Sequence, residues 1–244
     1  MNILIVNPNT TQSMTRKIGA AAERAASPGT TITATCPDFG PPSIEGYYDE
    51  VFAIPGMIGE IRKHPEADAV VIACFDDTGL DAARCATGAP VIGIGEAGFH
   101  FASLISGKFG VVTTLARSIP AIEHNLVRYG LATRCSGVRA SEVPVLDLEI
   151  PGSNAADRIS EEIARAIAED QAEAIVLGCA GMADLANRLA DRHGLPVLDG
   201  VSCAVKLAEG LVGLGLRTSM NGGYARPRAK AYAGSFSAFS PGTN

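Results

Sequence analysis

Six cysteines punctuate the 244-residue chain, at positions 36, 74, 85, 135, 179 and 203. Two of them close closely similar apolar runs. Asp68-Ala69-Val70-Val71-Ile72-Ala73-Cys74 aligns with Glu173-Ala174-Ile175-Val176-Leu177-Gly178-Cys179, 105 residues later. A continuous apolar run of this length reads as a strand buried on both faces. Ligands of open α/β sheets bind outside the carboxyl ends of the strands, where both thiols would stand. The N–H groups of a following helical turn are expected to favour negative charge there, lowering a thiol's pKa from about 8.5. Gly79, Gly178 and Gly181 allow backbone to approach a ligand closely. Two such thiols facing one cleft form an acid/base pair. One thiolate removes a proton from carbon, and the other thiol returns one to the opposite face. Cys36, Cys85, Cys135 and Cys203 lack this context and read as core fillers.

Other chemistries fit less well. The four histidines (64, 100, 124, 193) have no metal-ligand spacing and no Cys-x-x-Cys pair occurs, so zinc is disfavoured and no metal is expected. His100 and His124 fall inside expected helices rather than at strand ends, which argues against a thiol hydrolase. Asp76-Asp77 follows a later strand than a phospho-acceptor pair would, and capping of the next helix is the simpler account. Glu96, at an expected helix start, reads as structural.

Strand-like and helix-like segments alternate along the chain. Strands are expected at Asn2–Val6, Thr30–Cys36, Ala69–Cys74, Pro90–Gly95, Phe109–Thr114, Val138–Pro144, Ala174–Cys179 and Pro196–Asp199. Helices are expected from Thr10 or Thr11 to about Arg24, and over Tyr48–Lys63, Gly79–Ala86, Ile119–Tyr129, Asn154–Glu169, Met182–Arg192 and Cys203–Val212. This alternation implies βαβ units with parallel sheets. Pro90-Val91-Ile92 matches Pro196-Val197-Leu198, and Ile5-Val6-Asn7-Pro8-Asn9 matches Val111-Val112-Thr113-Thr114-Leu115, both 106 residues apart. The fold expected is therefore α/β, with two pseudo-symmetric, doubly wound, flavodoxin-like halves and a ligand cleft between them. Residues 1–96 with 200–216 form one half and residues 97–199 the other. Residues 217–244 form a C-terminal arm with four basic and no acidic residues, read as a loose terminus in preference to an arm packed on a neighbour.

Composition narrows the function class. A net charge of −6 argues against nucleic acid or an anionic membrane as partner. Aromatics are only 5% and Trp is absent, which disfavours a base-stacking platform. No signal peptide is visible, and the longest apolar run falls far short of the ~20 residues of a membrane helix. A cytoplasmic soluble protein is the expectation.

Four segments carry a resemblance to a known family: Asn7-Pro8-Asn9-Thr10-Thr11, Cys74-Phe75-Asp76-Asp77-Thr78-Gly79-Leu80, Gly93-Ile94-Gly95-Glu96-Ala97 and Val176-Leu177-Gly178-Cys179-Ala180-Gly181-Met182. Together they resemble the hydantoin/allantoin racemase branch of the aspartate/glutamate racemase superfamily, over Asn2 to about Leu216. The resemblance implies a cofactor-independent isomerase that inverts C5 of a 5-substituted hydantoin or of allantoin, with Cys74 and Cys179 as its two bases. It also implies a homo-oligomer. Amino-acid racemases of the superfamily typically follow the first Cys with Asn-Thr. Here Phe75-Asp76 follows, which points to a neutral ring. Many hydantoin-type members carry Pro where Thr78 stands.

On this reading the substrate pocket takes Asn7, Asn9, Thr113 and Thr114 from two matching strand ends, with loop capping as their ordinary alternative. Phe75, Asp76, Gly178, Ala180 and Gly181 come from the cysteine loops. Phe39 and Pro41 are candidates to cover the substrate side chain from the loop after the second strand. The rival readings are a sister activity (amino-acid racemase, malonate decarboxylase or cis–trans isomerase) or an α/β ligand-binding module without turnover.

Overall fold

The computed structural model describes residues 1–242. Eight strands form two four-stranded, wholly parallel sheets. The first contains β1 (Asn2–Val6), β2 (Thr31–Thr35), β3 (Ala69–Ile72) and β4 (Val91–Gly93), in the order β2-β1-β3-β4. The second contains β5 (Phe109–Thr113), β6 (Cys135–Ala140), β7 (Ala174–Gly178) and β8 (Val197–Asp199), in the order β6-β5-β7-β8. Advancing every strand number by four converts one order into the other, so the sequence repeat is a repeat of topology.

The helices are α1 (Gln12–Ala25), α2 (Tyr47–Lys63), α3 (Leu80–Ala86), α4 (Ile94–Ile105), α5 (Ile119–Arg128), α6 (Ala155–Asp170), α7 (Ala186–His193) and α8 (Gly200–Gly213). The central strands β1 and β3 are apolar on both faces because both are covered, and strand residues alternate between two cores. Ile3, Ile5 and Val71 face inward to a middle layer shared with Val111, Val176, Met14, Ile18, Phe99 and Val205. Leu4, Val6, Val70 and Ile72 face outward to Met57, Ile61 and Leu80. In the second sheet Val112, Ile175 and Leu177 face outward to Ile159, Ile163 and Leu189. Each half keeps an outer core of its own, and the middle layer belongs to both.

Two helices cross between the halves. α4 leaves β4 of the first sheet and packs on β7, whereas α8 leaves β8 of the second and packs on β3 and β4. The two helices lie against each other, and a Cβ at Gly200 would stand 2.3 Å from the Ile94 carbonyl oxygen. That contact requires glycine.

Several expected elements shift. The strand expected at Pro90–Gly95 spans only Val91–Gly93 because α4 begins at Ile94, and the helix expected at Cys203–Val212 begins at Gly200. The strand expected at Val138–Pro144 runs instead from Cys135 to Ala140. It is an edge strand, half-buried along its length, and pairs with β5 through a register irregularity at Phe109/Gly110. Its hydrophobic pattern is correspondingly weak. The helix expected from Met182 begins as a 3-10 turn (Ala180–Met182) and resumes as α7 at Ala186. The arm does not hang free. Thr218 bonds to the Gly88 and Ala89 carbonyls, Tyr224 to Asp81 and Arg84, and Arg62 to the Ala238 carbonyl, which lays the arm across α3 and α2. Its last two positions, 243–244, lie outside the described residues.

Candidate active site

Strand order dictates where the site forms. β1 and β3 are neighbours, yet the chain leaves β1 toward β2 and returns on the other side to β3. The loops after β1 and β3 therefore diverge and leave a crevice between them. The loops after β5 and β7 do the same in the second sheet. The two crevices meet as one narrow cleft. Asn7, Pro8 and Asn9 line it from the first loop and Met14 from the start of α1, Cys74, Phe75 and Asp76 from the second loop, Thr114 and Ser118 from the third, and Gly178, Cys179 and Ala180 from the fourth. Each half thus contributes one thiol at an equivalent strand end.

Ile44 and Val145, buried residues from the segments after β2 and β6, complete the lining. The Val145 N–H donates to a Glu45 carboxylate oxygen at 3.0 Å, joining the two segments. Phe39 and Pro41 are not in the cleft wall. Phe39 is exposed, and the Pro41 carbonyl accepts from the Thr10 N–H at 3.0 Å. The loop expected to cover the substrate does reach the cleft, through Ile44. Thr113 lies one layer behind the wall, where its hydroxyl donates to the Gly178 carbonyl at 3.0 Å. A Cβ at Gly178 would fall 2.7 Å from that of Thr113, so a larger residue would displace the strand that carries Cys179. Gly181 likewise stands off the cleft wall, its N–H bonded to the Cys179 sulfur.

Asn7 and Asn9 make contacts on two sides. They line the cleft, and they also order the loop: the Asn7 amide donates to Asn9 Oδ1 (2.9 Å) and Thr15 Oγ1 (3.0 Å), and Asn9 Oδ1 accepts from the Thr11 N–H (2.9 Å). Sequence reasoning missed Pro8, Met14, Ile44, Ala73, Ser118 and Val145. They are apolar or small residues on a helix and irregular segments, and nothing in their local pattern marks them.

Asp76 and Asp77 do different work. Asp76 lines the cleft, and its carbonyl is held by Asn125 Nδ2 at 2.8 Å. Burial, then the Glu50 and Asp77 charges, push its carboxyl up to about 7, opposed by a bond to Ser118. Asp77 turns away, with φ +52°. Its carboxylate accepts from the N–H groups of Gly95 (3.0 Å) and Glu96 (2.8 Å) and from the Tyr129 hydroxyl (2.7 Å). It caps α4, not the helix that follows it, and ties the Cys74 loop to α5 of the other half. Glu96 pairs with Arg84 at 2.6 Å, a structural role.

Both thiols are shifted opposite to the expectation from helix N–H groups. Burial pushes Cys74 up, Asp76 adds to this, and the Thr78 hydroxyl and Asp76 N–H oppose it. Burial pushes Cys179 up to about 11, with the Gly181 N–H opposing. Desolvation of sulfur outweighs the local donors, so both sulfurs rest as thiols near neutral pH. His100 and His124 lie outside the cleft wall, and among the described residues no group of three or more His, Cys, Asp or Glu is arranged to hold a metal ion. No helix among the described residues is long and apolar enough to cross a membrane.

Comparison with known proteins places this geometry. A family model described as Asp/Glu/Hydantoin racemase matches residues 3–208. A hydantoin racemase of Rhizobium meliloti is 49% identical over 236 residues, 96% of this chain and 98% of that protein. The structure of an allantoin racemase from Klebsiella pneumoniae matches with a TM-score of 0.96 at 47% identity, covering 99% of both chains. That of an allantoin racemase from Pseudomonas fluorescens matches with 0.92 at 42% identity, covering 96% of this chain and 100% of the other.

Proposed function

The chain belongs to the Asp/Glu/hydantoin racemase family, and from that premise we propose that it racemises 5-substituted hydantoins or allantoin at C5 with two thiols and no cofactor. The observation that carries this reading is one cleft lined by Cys74 and Cys179 from equivalent strand ends, with no Lys, Arg or His in its wall. A carboxylate substrate would meet Asp76 there with no cation in the wall to pair with it, whereas a neutral ring has no such penalty.

The reaction begins at C5–H, which is acidified by the adjacent ring carbonyl. One cysteine, as thiolate, takes this proton and becomes a thiol. The electron pair moves into the ring as an enolate, whose oxygen takes hydrogen bonds from backbone N–H groups of the cysteine loops and of Thr114. The other thiol then donates its proton to the opposite face of the planar carbon and becomes the thiolate. Each turnover exchanges the roles of the two sulfurs, so the reverse reaction starts from the other thiolate. Asn7, Asn9, Phe75, Gly178 and Ala180 form the walls against which the ring lies.

A homo-oligomer is part of this proposal. It is supported by exposed Tyr47, Tyr48, Val51 and Phe52 on one end of α2, a contiguous apolar surface of the kind partners cover. A sedimentation experiment distinguishes it from a monomer. All six cysteines are unpaired, which supports a reducing, cytoplasmic setting.

The test is decay of optical rotation of one pure enantiomer, run over allantoin and hydantoins with alkyl, thioether and aromatic substituents. At least one compound is expected to lose rotation and to exchange its C5 proton with deuterated solvent. Cys74→Ser and Cys179→Ser are each expected to abolish racemisation, while slowing exchange from one enantiomer more than from the other. Silence across the whole panel would overturn the proposed activity, and full activity in either variant would overturn the two-thiol scheme.

A further inference from the structure

We infer that Thr78 is a positioning residue for Cys74, whose hydroxyl holds the sulfur and offsets, in this half alone, the acidic groups that face it. Its Oγ1 donates to Cys74 Sγ at 3.2 Å, from a side chain with no solvent exposure. The turn fixes this reach. The Asp77 N–H donates to the Cys74 carbonyl (3.0 Å) and the Leu80 N–H to the Asp77 carbonyl (3.1 Å), folding Thr78 back over the cysteine four residues before it.

The repeat shows what is particular to this half. Each sulfur receives the N–H of the residue two positions on, Asp76 for Cys74 and Gly181 for Cys179. The residues 105 positions after Asp76 and Thr78 are Gly181 and Ala183. The second half therefore has neither the carboxylate nor the hydroxyl. Cys74 is faced by Asp76 on its own loop and by Glu50 from α2, both acidic. Cys179 is faced by Asp76 and Glu149 and by the cationic Lys17 of α1. Negative neighbours without a cation disfavour a thiolate at Cys74, and the Thr78 hydroxyl is a local donor that offsets them. A hydroxyl in this position also fixes the direction in which the sulfur lone pair points.

As a device for proton transfer this rests on the proposed racemase activity, but its first test does not. Iodoacetamide alkylation is followed at the Cys74 and Cys179 peptides by mass spectrometry, as a function of pH. In Thr78→Val the Cys74 profile is expected to move about one pH unit to the alkaline side, the shift that loss of one charged hydrogen bond produces. At a fixed pH below the midpoint, Cys74 labels about three- to tenfold more slowly, because the remaining thiolate is a somewhat better nucleophile. The Cys179 profile is expected to stay in place, and Thr78→Ser to restore that of Cys74. The pH profile of hydantoin racemisation should move in Thr78→Val and return in Thr78→Ser. Superimposable Cys74 profiles in wild type and Thr78→Val would overturn the inference. So would a Ser variant displaced as far as Val, which would assign the effect to the lost methyl packing. If the wild type racemises no compound while the Cys74 profile moves as expected, the activity is refuted and the Thr78 contact stands.

Discussion

At the scale of single residues, the two sulfurs and Asp76 form one electrostatic unit. Asp76 raises both thiols, because its carboxylate is a like charge to either thiolate in a desolvated cleft. In the proposed mechanism only the thiolate abstracts a proton, and burial holds both groups mainly as thiols at neutral pH. Raising the pH toward the Cys179 value of about 11 therefore increases the active form. The kcat/KM for a hydantoin is expected to climb from about pH 6.5 to about pH 8.5, less steeply where Asp76 itself ionises near 7. Asp76→Asn removes that charge, and iodoacetamide should then label Cys74 and Cys179 roughly three- to tenfold faster at a given pH. Unchanged labelling of both would show that Asp76 does not govern the thiols.

At the scale of elements, the Cys74 loop is held from outside itself. Asp77 supplies the acceptor for the first turn of α4 and for Tyr129 at the end of α5. Asp77→Ala leaves two backbone N–H groups and a hydroxyl without this partner. The cost expected is about 2–4 kcal/mol, from lost capping and unsatisfied buried donors. For a chain of this size that corresponds to a fall of roughly 5–10 °C in Tm by thermal denaturation. Asp77→Asn keeps an acceptor oxygen and should lose less. A melting temperature within about 1 °C of wild type in the Ala variant would remove Asp77 from this role. The same loop shows why an acidic pair was hard to read in sequence: adjacent carboxylates point to different partners, and the partner of Asp77 lies 18 residues downstream.

At the scale of the whole molecule, the halves are locked by a shared core. Phe99 of α4 meets Phe75 edge-on (centroids 5.3 Å), stacks with Phe109 of β5 (6.0 Å) and reaches Tyr129 (6.3 Å). Its ring thus connects the loop beside Cys74 to the second sheet. Phe99→Ala is expected to destabilise by about 3–5 kcal/mol, lowering Tm by about 10 °C. The wild type is expected to unfold in one cooperative transition by calorimetry, because neither sheet has a complete core of its own. Two resolved transitions would show that the halves fold independently.

The strands buried on both faces, the repeat and its two strand-end cysteines are legible in the chain's residues alone. These are local and periodic signals: an apolar run records burial at every residue, and a duplicated run records duplicated topology. Asn7, Asn9, Phe75, Asp76, Thr114, Gly178 and Ala180 were legible for the same reason, since they follow central strands whose ends form a crevice. The rest came from packing in three dimensions. Which residue of the loop after β2 covers the cleft depends on how irregular backbone packs across two halves, so Ile44 stands where Phe39 and Pro41 were expected. Whether the thiols rise or fall depends on desolvation, which the cleft as a whole imposes and no short motif records. The cap of α4 and the donor on Cys74 come from side chains aimed by a turn, and their direction is set by packing.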